Sequence, residues 1–327
     1  MHYNPKRGKS MLSKIFDTKM ALGSNTDIVL ISSNASSSEK LMTKLWRHIF
    51  EFEKRFSRFL PASELSLFNK NAGIKTPISI EFRDILLSAK TMSKKSNGLY
   101  NPFILPSLQR SGYLNSRAEG YENDPVDDYR NRGIADIDGL IINRDSAEIP
   151  FNSAIDLGGI GKGYLADQLA EQINQEPHID GFFVSLGGDM VVGGNDVDGS
   201  PWHIGVQSAE NSDNELNIFI NNNFQQIAVA TSGTLSRSNS NKKNKHIIDP
   251  RNLKPANTDI KLITLASKSA ILCDVMASCA VILGSKNAPD FIHEQEIENF
   301  IIQYENNHEI LIKSNGELIH NKERSYA

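Results

Sequence analysis

The segment from Ser269 to Leu283 constrains the fold most, because it has helical length and is apolar almost all round. Such a helix belongs in a core, with other elements packed around it. Its one acidic residue, Asp274, must be paired or bind a metal, since a buried lone carboxylate is costly. Ser278 lies on the same face, and a carboxylate with a hydroxyl suits Mg²⁺. An aspartate that hydrogen-bonds a neighbouring loop is the alternative.

A glycine-rich stretch, Asp-Leu-Gly-Gly-Ile-Gly-Lys-Gly, runs from Asp156 to Gly163 and opens a second predicted helix. Glycines let a ligand approach the backbone, and a helix N-terminus attracts anions. Lys162 adds a positive charge, so the stretch suits a pyrophosphate. A P-loop is excluded, because Asp156 and Gly163 stand where glycine and Ser or Thr are required. A dinucleotide fingerprint would begin inside the helix and is excluded too. A tight turn without a ligand is the alternative.

A third candidate is the segment His246-Ile-Ile-Asp-Pro-Arg251, which follows Thr231-Ser-Gly233. His246 lies among polar residues before a predicted turn, where it could titrate near neutral pH. A structural histidine is the alternative. Arg251 could pair with phosphate or form a surface salt bridge.

The remaining pattern predicts helices and strands in one α+β domain. The predicted helices are one capped within residues 36–38 and ending near Arg58, one over 80–95, and one after Lys162 with Leu165, Leu169 and Ile173 on one face. The predicted strands are 27–32, a hairpin over 139–155, 182–192, 202–207, 225–230 and 262–266. Residues 109–136 are expected to form a long surface loop or insertion, and 211–223 and 237–245 to be exposed.

Composition excludes several classes of protein. The chain has 327 residues, 39% of them hydrophobic and 23% charged, which permits a sizeable core. A net charge of −4 gives no global attraction to nucleic acid or anionic membranes. Cys273 and Cys279 lack zinc-site spacing and are expected in the core, unbonded to each other. No membrane-spanning segment, signal peptide or lipidation cysteine is found, so we expect a cytoplasmic location.

Several motifs in order resemble those of the FAD:protein FMN transferases, the ApbE family, over about residues 21–284. The resemblance is carried by the following segments: Ala21-Leu-Gly-Ser24, Phe56-Ser-Arg-Phe59, Ser63 to Asn69, Gly98 to Pro102, the glycine stretch, Ser185 to Asp189, Thr231 to Gly233, His246 to Pro250, and Asp274 with Ser278. Many members of that family are exported lipoproteins, but the export signal that they carry is not seen in this sequence.

The resemblance implies a fold and domain bounds. The expected fold is a single mixed α/β domain of the ApbE-like, T-fold-like type, with FAD in a central cleft. Residues 21–315 would form this domain, residues 1–20 an N-terminal extension and residues 316–327 a C-terminal tail.

The resemblance also implies site residues. FAD would contact residues from five segments: Leu22, Phe59, Tyr100, Asn101, Asp156, Lys162 and Ile248. A Mg²⁺ ion would be held by the backbone carbonyl of Gly159 and the side chains of Asp274 and Ser278, with Ala277 beside them. Four residues depart from the usual pattern of the family: Phe59 for Tyr, Asn101 for Asp, Ser278 for Thr and Thr234 for Asp.

The implied reaction is transfer of FMN from FAD to a Ser or Thr of an acceptor protein, with release of AMP. Lys162 and Asp274 would stabilise charge on the phosphates, and His246, whose ordinary pKa suits a base, would take the hydroxyl proton. FAD hydrolysis to FMN and AMP is one alternative. An FAD-binding protein without turnover is another.

Overall fold

The computed structural model describes residues 12–114, 127–210, 215–219, 226–235, 246–297, 299–304, 309–314 and 317–322. Within these ranges there are seven α-helices: α1 (Ala35–Phe56), α2 (Glu64–Lys70), α3 (Ile80–Lys95), α4 (Leu105–Arg110), α5 (Gly161–Asn174), α6 (Ala270–Leu283) and α7 (Ala288–Glu294). The strands are β1 (Ser13–Ala21), β2 (Ser24–Ser32), β3 (Thr76–Pro77), β4 (Ile141–Ile142), β5 (Ser146–Glu148), β6 (Ile179–Leu186), β7 (Asp189–Gly194), β8 (His203–Gln207), β9 (Glu215–Phe219), β10 (Ile227–Gly233), β11 (Ile248–Asp249), β12 (Lys254–Pro255), β13 (Ile260–Ser267), β14 (Asn299–Tyr304), β15 (Glu309–Ser314) and β16 (Glu317–Lys322).

The main sheet has nine strands in the order β1-β2-β6-β7-β10-β13-β14-β15-β16. Every neighbouring pair in it is antiparallel. Helices α1, α3, α5 and α6 contribute to the large core with one face of this sheet. On the other face, Trp202 and Ile204 cover a smaller apolar cluster around Val29 and Val192. The predicted α+β architecture is confirmed.

Helix α6 lies where its composition predicts, between α5 and strands β10 and β13. Both of its cysteines are buried and free, as predicted. Ser269 caps the helix by accepting a hydrogen bond from the Leu272 N–H. Because apolar side chains cover nearly its whole circumference, this helix can bury its apolar surface only when other elements enclose it.

Two predicted boundaries are wrong for local reasons. The cap of α1 is Asn34, whose side chain accepts from the Ser37 N–H at 3.2 Å, and not a residue within 36–38. The single strand predicted over 182–192 is a hairpin of β6 and β7. Gly187 and Gly188 form its turn with φ of +68° and +100°, a conformation that glycine adopts without strain.

The polar region predicted as a loop over 109–136 is tied to the body at both ends. Gln109 is buried, donates to the Asp127 carbonyl at 2.8 Å and accepts from the Tyr129 N–H at 2.7 Å. Tyr129 packs with Leu105 and Ala154 in a small cluster. Residues 115–126 of this region lie outside the described residues, as do residues 237–245. In the segment 211–223, predicted to be exposed, residues 215–219 form β9 and pair with β8.

The main sheet reaches past the domain bounds that the resemblance implies. Residues 13–20 of the predicted N-terminal extension pair with β2 as part of β1. Residues 317–322 of the predicted tail form β16. Across the described residues, no helix has both the length and the apolar character that crossing a bilayer requires.

Candidate active site

The glycine turn ends where α5 begins, and α5 packs directly on the start of α6. A Cβ added to Gly163 would lie 2.7 Å from the Ala270 carbonyl oxygen and 2.8 Å from the Ile271 Cα. Only glycine fits here, which explains why the Ser or Thr of a P-loop is excluded. The close approach places the N–H of Gly163 3.1 Å from Oδ2 of Asp274, to which it donates a hydrogen bond.

Asp274 is therefore buried against the N-terminus of α5. Burial raises the pKa of the Asp274 carboxyl, whereas the positive charge of Lys162 and the hydrogen bond from Gly163 act to lower it. The hydrogen bond to a neighbouring segment, considered as an alternative to metal binding, is therefore present at one of the two Asp274 oxygens. The helix dipole and a lysine on the same side both favour the carboxylate form.

Lys162 also forms an ion pair with Asp189, the first residue of β7. The Asp189 side chain is 4% exposed, whereas the Lys162 side chain is 32% exposed. Lys162 thus pairs with Asp189, is near enough for its charge to act on Asp274, and remains reachable from solvent. The Lys162 ammonium group can therefore contact a phosphate while it keeps its ion pair with Asp189.

Ser278, one turn after Asp274, shares a hydrogen bond of 2.9 Å with the hydroxyl of Ser232 on β10. Ala277 beside it is fully buried. Gly159 packs on the ring of Tyr100, because a Cβ added there would lie 3.6 Å from Cε2. Among the described residues, no three His, Cys, Asp or Glu side chains form a metal-binding group. The predicted metal set instead combines one carboxylate with hydroxyl and backbone oxygens.

Asp156, at the start of the glycine turn, is held from both sides. Its Oδ1 accepts from the Gly158 N–H at 2.7 Å, and its Oδ2 lies 2.9 Å from Nε of Arg58. Both members of the ion pair are buried. A Cβ on Gly158 would lie only 2.8 Å from Oδ1, so the turn wraps closely around this carboxylate.

Tyr100 and Asn101 join this turn from the loop after α3. The hydroxyl of Tyr100 is buried and has no hydrogen-bond partner among the described residues. Burial, together with the charges of Asp156 and Asp274, raises the pKa of Tyr100 well above its ordinary value, so the phenol stays protonated. Asn101 caps the next turn by accepting from the Phe103 N–H at 3.0 Å and donates to the Ala135 carbonyl at 3.0 Å. Asn101 therefore has a structural role in the described chain.

An aromatic group borders the site beyond Arg58. The Phe59 and Tyr113 rings meet edge to face with centroids 6.2 Å apart, and the Tyr113 and His246 rings lie 6.4 Å apart. Ile248 follows in β11 and is buried. Arg251 pairs with Asp249 at 2.8 Å, the salt bridge considered as an alternative to phosphate binding.

Leu22, a predicted FAD contact, lies in the turn between β1 and β2 and has φ of +55°. This turn abuts the β6–β7 turn, since the Gly187 N–H donates to the Asn25 carbonyl at 3.0 Å. The first residue after that turn is the Asp189 that pairs with Lys162. The β1–β2 turn that holds Leu22 is thus linked to the Lys162–Asp189 pair through the ends of paired strands.

Sequence reasoning missed three residues that contact the predicted set: Arg58, Asp189 and Ser232. Asp189 could have been found, because a carboxylate in an apolar strand needs a partner just as Asp274 does. Arg58 and Ser232 lie in two of the segments that carry the family resemblance, but neither has a comparable physical signal that marks it as a site residue.

The fold and the site define a mixed α/β protein with a lysine and buried carboxylates gathered at a glycine turn. The ApbE family model matches residues 22–301, and the chain belongs to this family. FAD:protein FMN transferase from Haemophilus influenzae is 23% identical over 282 residues, covering 83% of this chain and 80% of that protein. The protein of the same name from Vibrio cholerae is 26% identical over 257 residues, covering 77% and 75%.

Solved structures share the fold. The apo form of the Pseudomonas stutzeri flavinyl transferase ApbE superposes with a TM-score of 0.75 at 18% identity, covering 95% of this chain and 94% of that chain. The ApbE protein of Thermotoga maritima also gives a TM-score of 0.75, at 20% identity, with 95% and 97% covered. The expected ApbE-like fold is confirmed.

Proposed function

We propose that this chain is an FAD:protein FMN transferase that joins FMN to a Ser or Thr hydroxyl of an acceptor protein and releases AMP. The acceptor oxygen attacks the FMN phosphorus, the bond from that phosphorus to the AMP oxygen breaks, and the hydroxyl proton is taken up by a base. The observation that carries the proposal is the buried carboxylate of Asp274, held at the N-terminus of α5 beside Lys162. The family and the names of its relatives support the same reaction.

The donor set fits a divalent cation of the Mg²⁺ type. Asp274 supplies a carboxylate, Ser278 a hydroxyl and Gly159 a carbonyl, all hard oxygen ligands, with Ala277 packed beside them. Mg²⁺ is usually bound by one or two carboxylates together with substrate phosphates, which suits a site with a single acidic ligand. When bound, the ion would neutralise charge on the pyrophosphate.

The chain's own residues bind and orient. Lys162 and the N-terminus of α5 hold phosphate oxygens, since both present positive charge on the same side. Leu22, Phe59, Tyr100, Asn101, Asp156 and Ile248 are the proposed FAD contacts. Asp156 and Asn101 serve chiefly to shape the loops, because their side chains are engaged with the protein. His246 as the base stays a prediction, as does the cytoplasmic location.

The proposal is tested by mixing the protein with FAD, Mg²⁺ and a Ser/Thr-containing acceptor peptide and measuring the peptide mass. We expect a gain of one FMN, abolished by EDTA and by Asp274→Ala. Asp290→Ala, at the start of α7, is the matched control and should transfer normally. FMN and AMP without labelled peptide would indicate a hydrolase. FAD that stays bound and intact would indicate a binding protein.

A further inference from the structure

Arg58 lies just after α1, and its guanidinium group is almost completely enclosed. The side chain is 5% exposed. Its Nε lies 2.9 Å from Oδ2 of Asp156, and one terminal nitrogen, Nη2, donates to the Tyr113 carbonyl at 3.0 Å. The other, Nη1, is buried and has no hydrogen-bond partner among the described residues. A guanidinium carries five N–H donors, so this arginine has bonding capacity that the described protein does not use.

The Nη1 of Arg58, unpaired in the described part of the chain, is a hydrogen-bond donor that needs an acceptor. Buried polar groups in folded proteins nearly always find a partner, and an exception at a site is explained by water, an ion or a ligand. Asp156 already balances the charge of Arg58. Nη1 is therefore suited to a directional hydrogen bond with a carbonyl oxygen or ring nitrogen, more than to a phosphate.

The surroundings of Arg58 are flat and aromatic. Its guanidinium carbon lies 4.1 Å from the centre of the Phe59 ring and 4.8 Å from that of Tyr113. Tyr113 in turn neighbours the ring of His246. Aromatic rings and a guanidinium plane together favour a planar heteroaromatic ligand.

We propose that Arg58 is a flavin-binding residue whose Nη1 donates to an acceptor on the isoalloxazine ring of FAD. This inference rests on the proposed function. The pyrimidine part of isoalloxazine has two carbonyl oxygens and ring nitrogens as acceptors. Adenine, at the other end of FAD, also has ring-nitrogen acceptors, but it has no carbonyl oxygen and carries an amino donor beside them. Arg58 therefore binds the flavin end, and Lys162 with the glycine turn binds the phosphates.

The test replaces Arg58 with lysine, which keeps a positive charge for Asp156 but lacks the planar fork. Binding is measured for riboflavin, which has no phosphate, by quenching of its fluorescence, and for ADP with Mg²⁺ by calorimetry. Arg58→Lys should weaken riboflavin and FAD by about tenfold, as expected for one lost hydrogen bond, and leave ADP unchanged. In transfer assays, KM for FAD should rise by a similar factor while kcat changes little.

Arg132→Lys is the matched control. Arg132 also stacks on a tyrosine, with its guanidinium carbon 4.5 Å from the Tyr129 ring, and donates to the backbone carbonyls of Asn69 and Ser153. Its replacement should alter neither riboflavin nor ADP binding. Thermal unfolding of both variants separates loss of fold from loss of binding.

Three results would overturn the inference: riboflavin affinity unchanged in Arg58→Lys, an equal loss for riboflavin and ADP, or a loss for ADP alone. The second would mean that Arg58 acts only through Asp156 and the fold. Failure of the proposed function is seen separately, because the wild-type protein would then transfer no FMN whatever the affinity of its variants for riboflavin.

Discussion

At the scale of single residues, each buried charge near the glycine turn has its own partner. Asp156 pairs with Arg58, Asp189 pairs with Lys162, and Asp274 accepts the Gly163 N–H. A buried charge that loses its partner destabilises a protein strongly, so these pairs hold the turn in one geometry. Glycines complete the arrangement where a side chain would collide with the protein.

Gly163 is the residue whose replacement should do most damage for its size. We expect Gly163→Ala to lower the free energy of unfolding by about 1–3 kcal/mol, because the new methyl group would meet backbone atoms of α6 that cannot move aside. Urea denaturation measures the change.

Gly161→Ala, two positions earlier, is the control. A Cβ there would lie 3.6 Å from the Phe52 ring, an ordinary contact. Its unfolding free energy should stay within about 1 kcal/mol of the wild type, or increase because alanine favours a helix. Equal losses in both variants would show that the approach of α5 to α6 is not what requires glycine.

At the scale of elements, α5 and α6 are joined by a carboxylate at the start of α6. Asp167 on α5 accepts from the N–H groups of Ala270 at 2.8 Å and Ile271 at 3.2 Å, and from the Ser269 hydroxyl at 2.9 Å. Burial raises the pKa of Asp167, and these three hydrogen bonds act against that rise. The contact places the first turn of α6, and hence Asp274, against the glycine turn.

Asp167→Ala should therefore loosen α6. We expect a loss of about 1–2 kcal/mol in unfolding free energy, the usual effect of removing a helix cap, since three donors lose an acceptor. Chemical denaturation gives the value. Glu171→Ala, an exposed position one turn later on α5, is the control and should change stability by less than about 0.5 kcal/mol. An Asp167→Ala variant as stable as this control would contradict the capping role.

At the scale of the whole molecule, the sheet brings together turns that are far apart in the chain. The turn between β1 and β2 lies beside the turn between β6 and β7, and Asp189 at the latter pairs with Lys162 of α5. α6 packs on β10, where Ser232 meets Ser278. The site is thus assembled from most of the domain, and a ligand that binds there should stabilise the whole fold.

We therefore expect FAD with Mg²⁺ to raise the free energy of unfolding. At a free FAD concentration of about 100 times Kd, the gain should be about 2.7 kcal/mol if only the folded protein binds it. Urea midpoints with and without FAD measure the effect. NAD⁺ at the same concentration has the same pyrophosphate but no flavin, and should give a much smaller gain. Equal gains would show that the flavin ring is not recognised.

Much of the fold could be predicted from local patterns. The predicted helix over residues 80–95 is confirmed as α3, and the apolar helix is confirmed as α6. Periodicity and caps depend on residues close in sequence, so they can be read without the tertiary structure. The prediction of a single strand over 182–192 was wrong. It followed the apolar run and overlooked the Gly-Gly turn within it, which separates β6 from β7.

Local patterns in the chain were sufficient to predict several of the central helices and strands, but not β1, α2, α4, α7 or β14 to β16. They also predicted that Asp274 needs a partner, because a carboxylate in an apolar helix is costly wherever that helix packs. The identity of that partner depends on how α5 packs against α6. The Gly163 N–H comes from 111 residues away. The contacts of Arg58, Asp189 and Ser232 likewise come from the packing of separate elements, and packing between distant segments leaves no periodic trace in the chain.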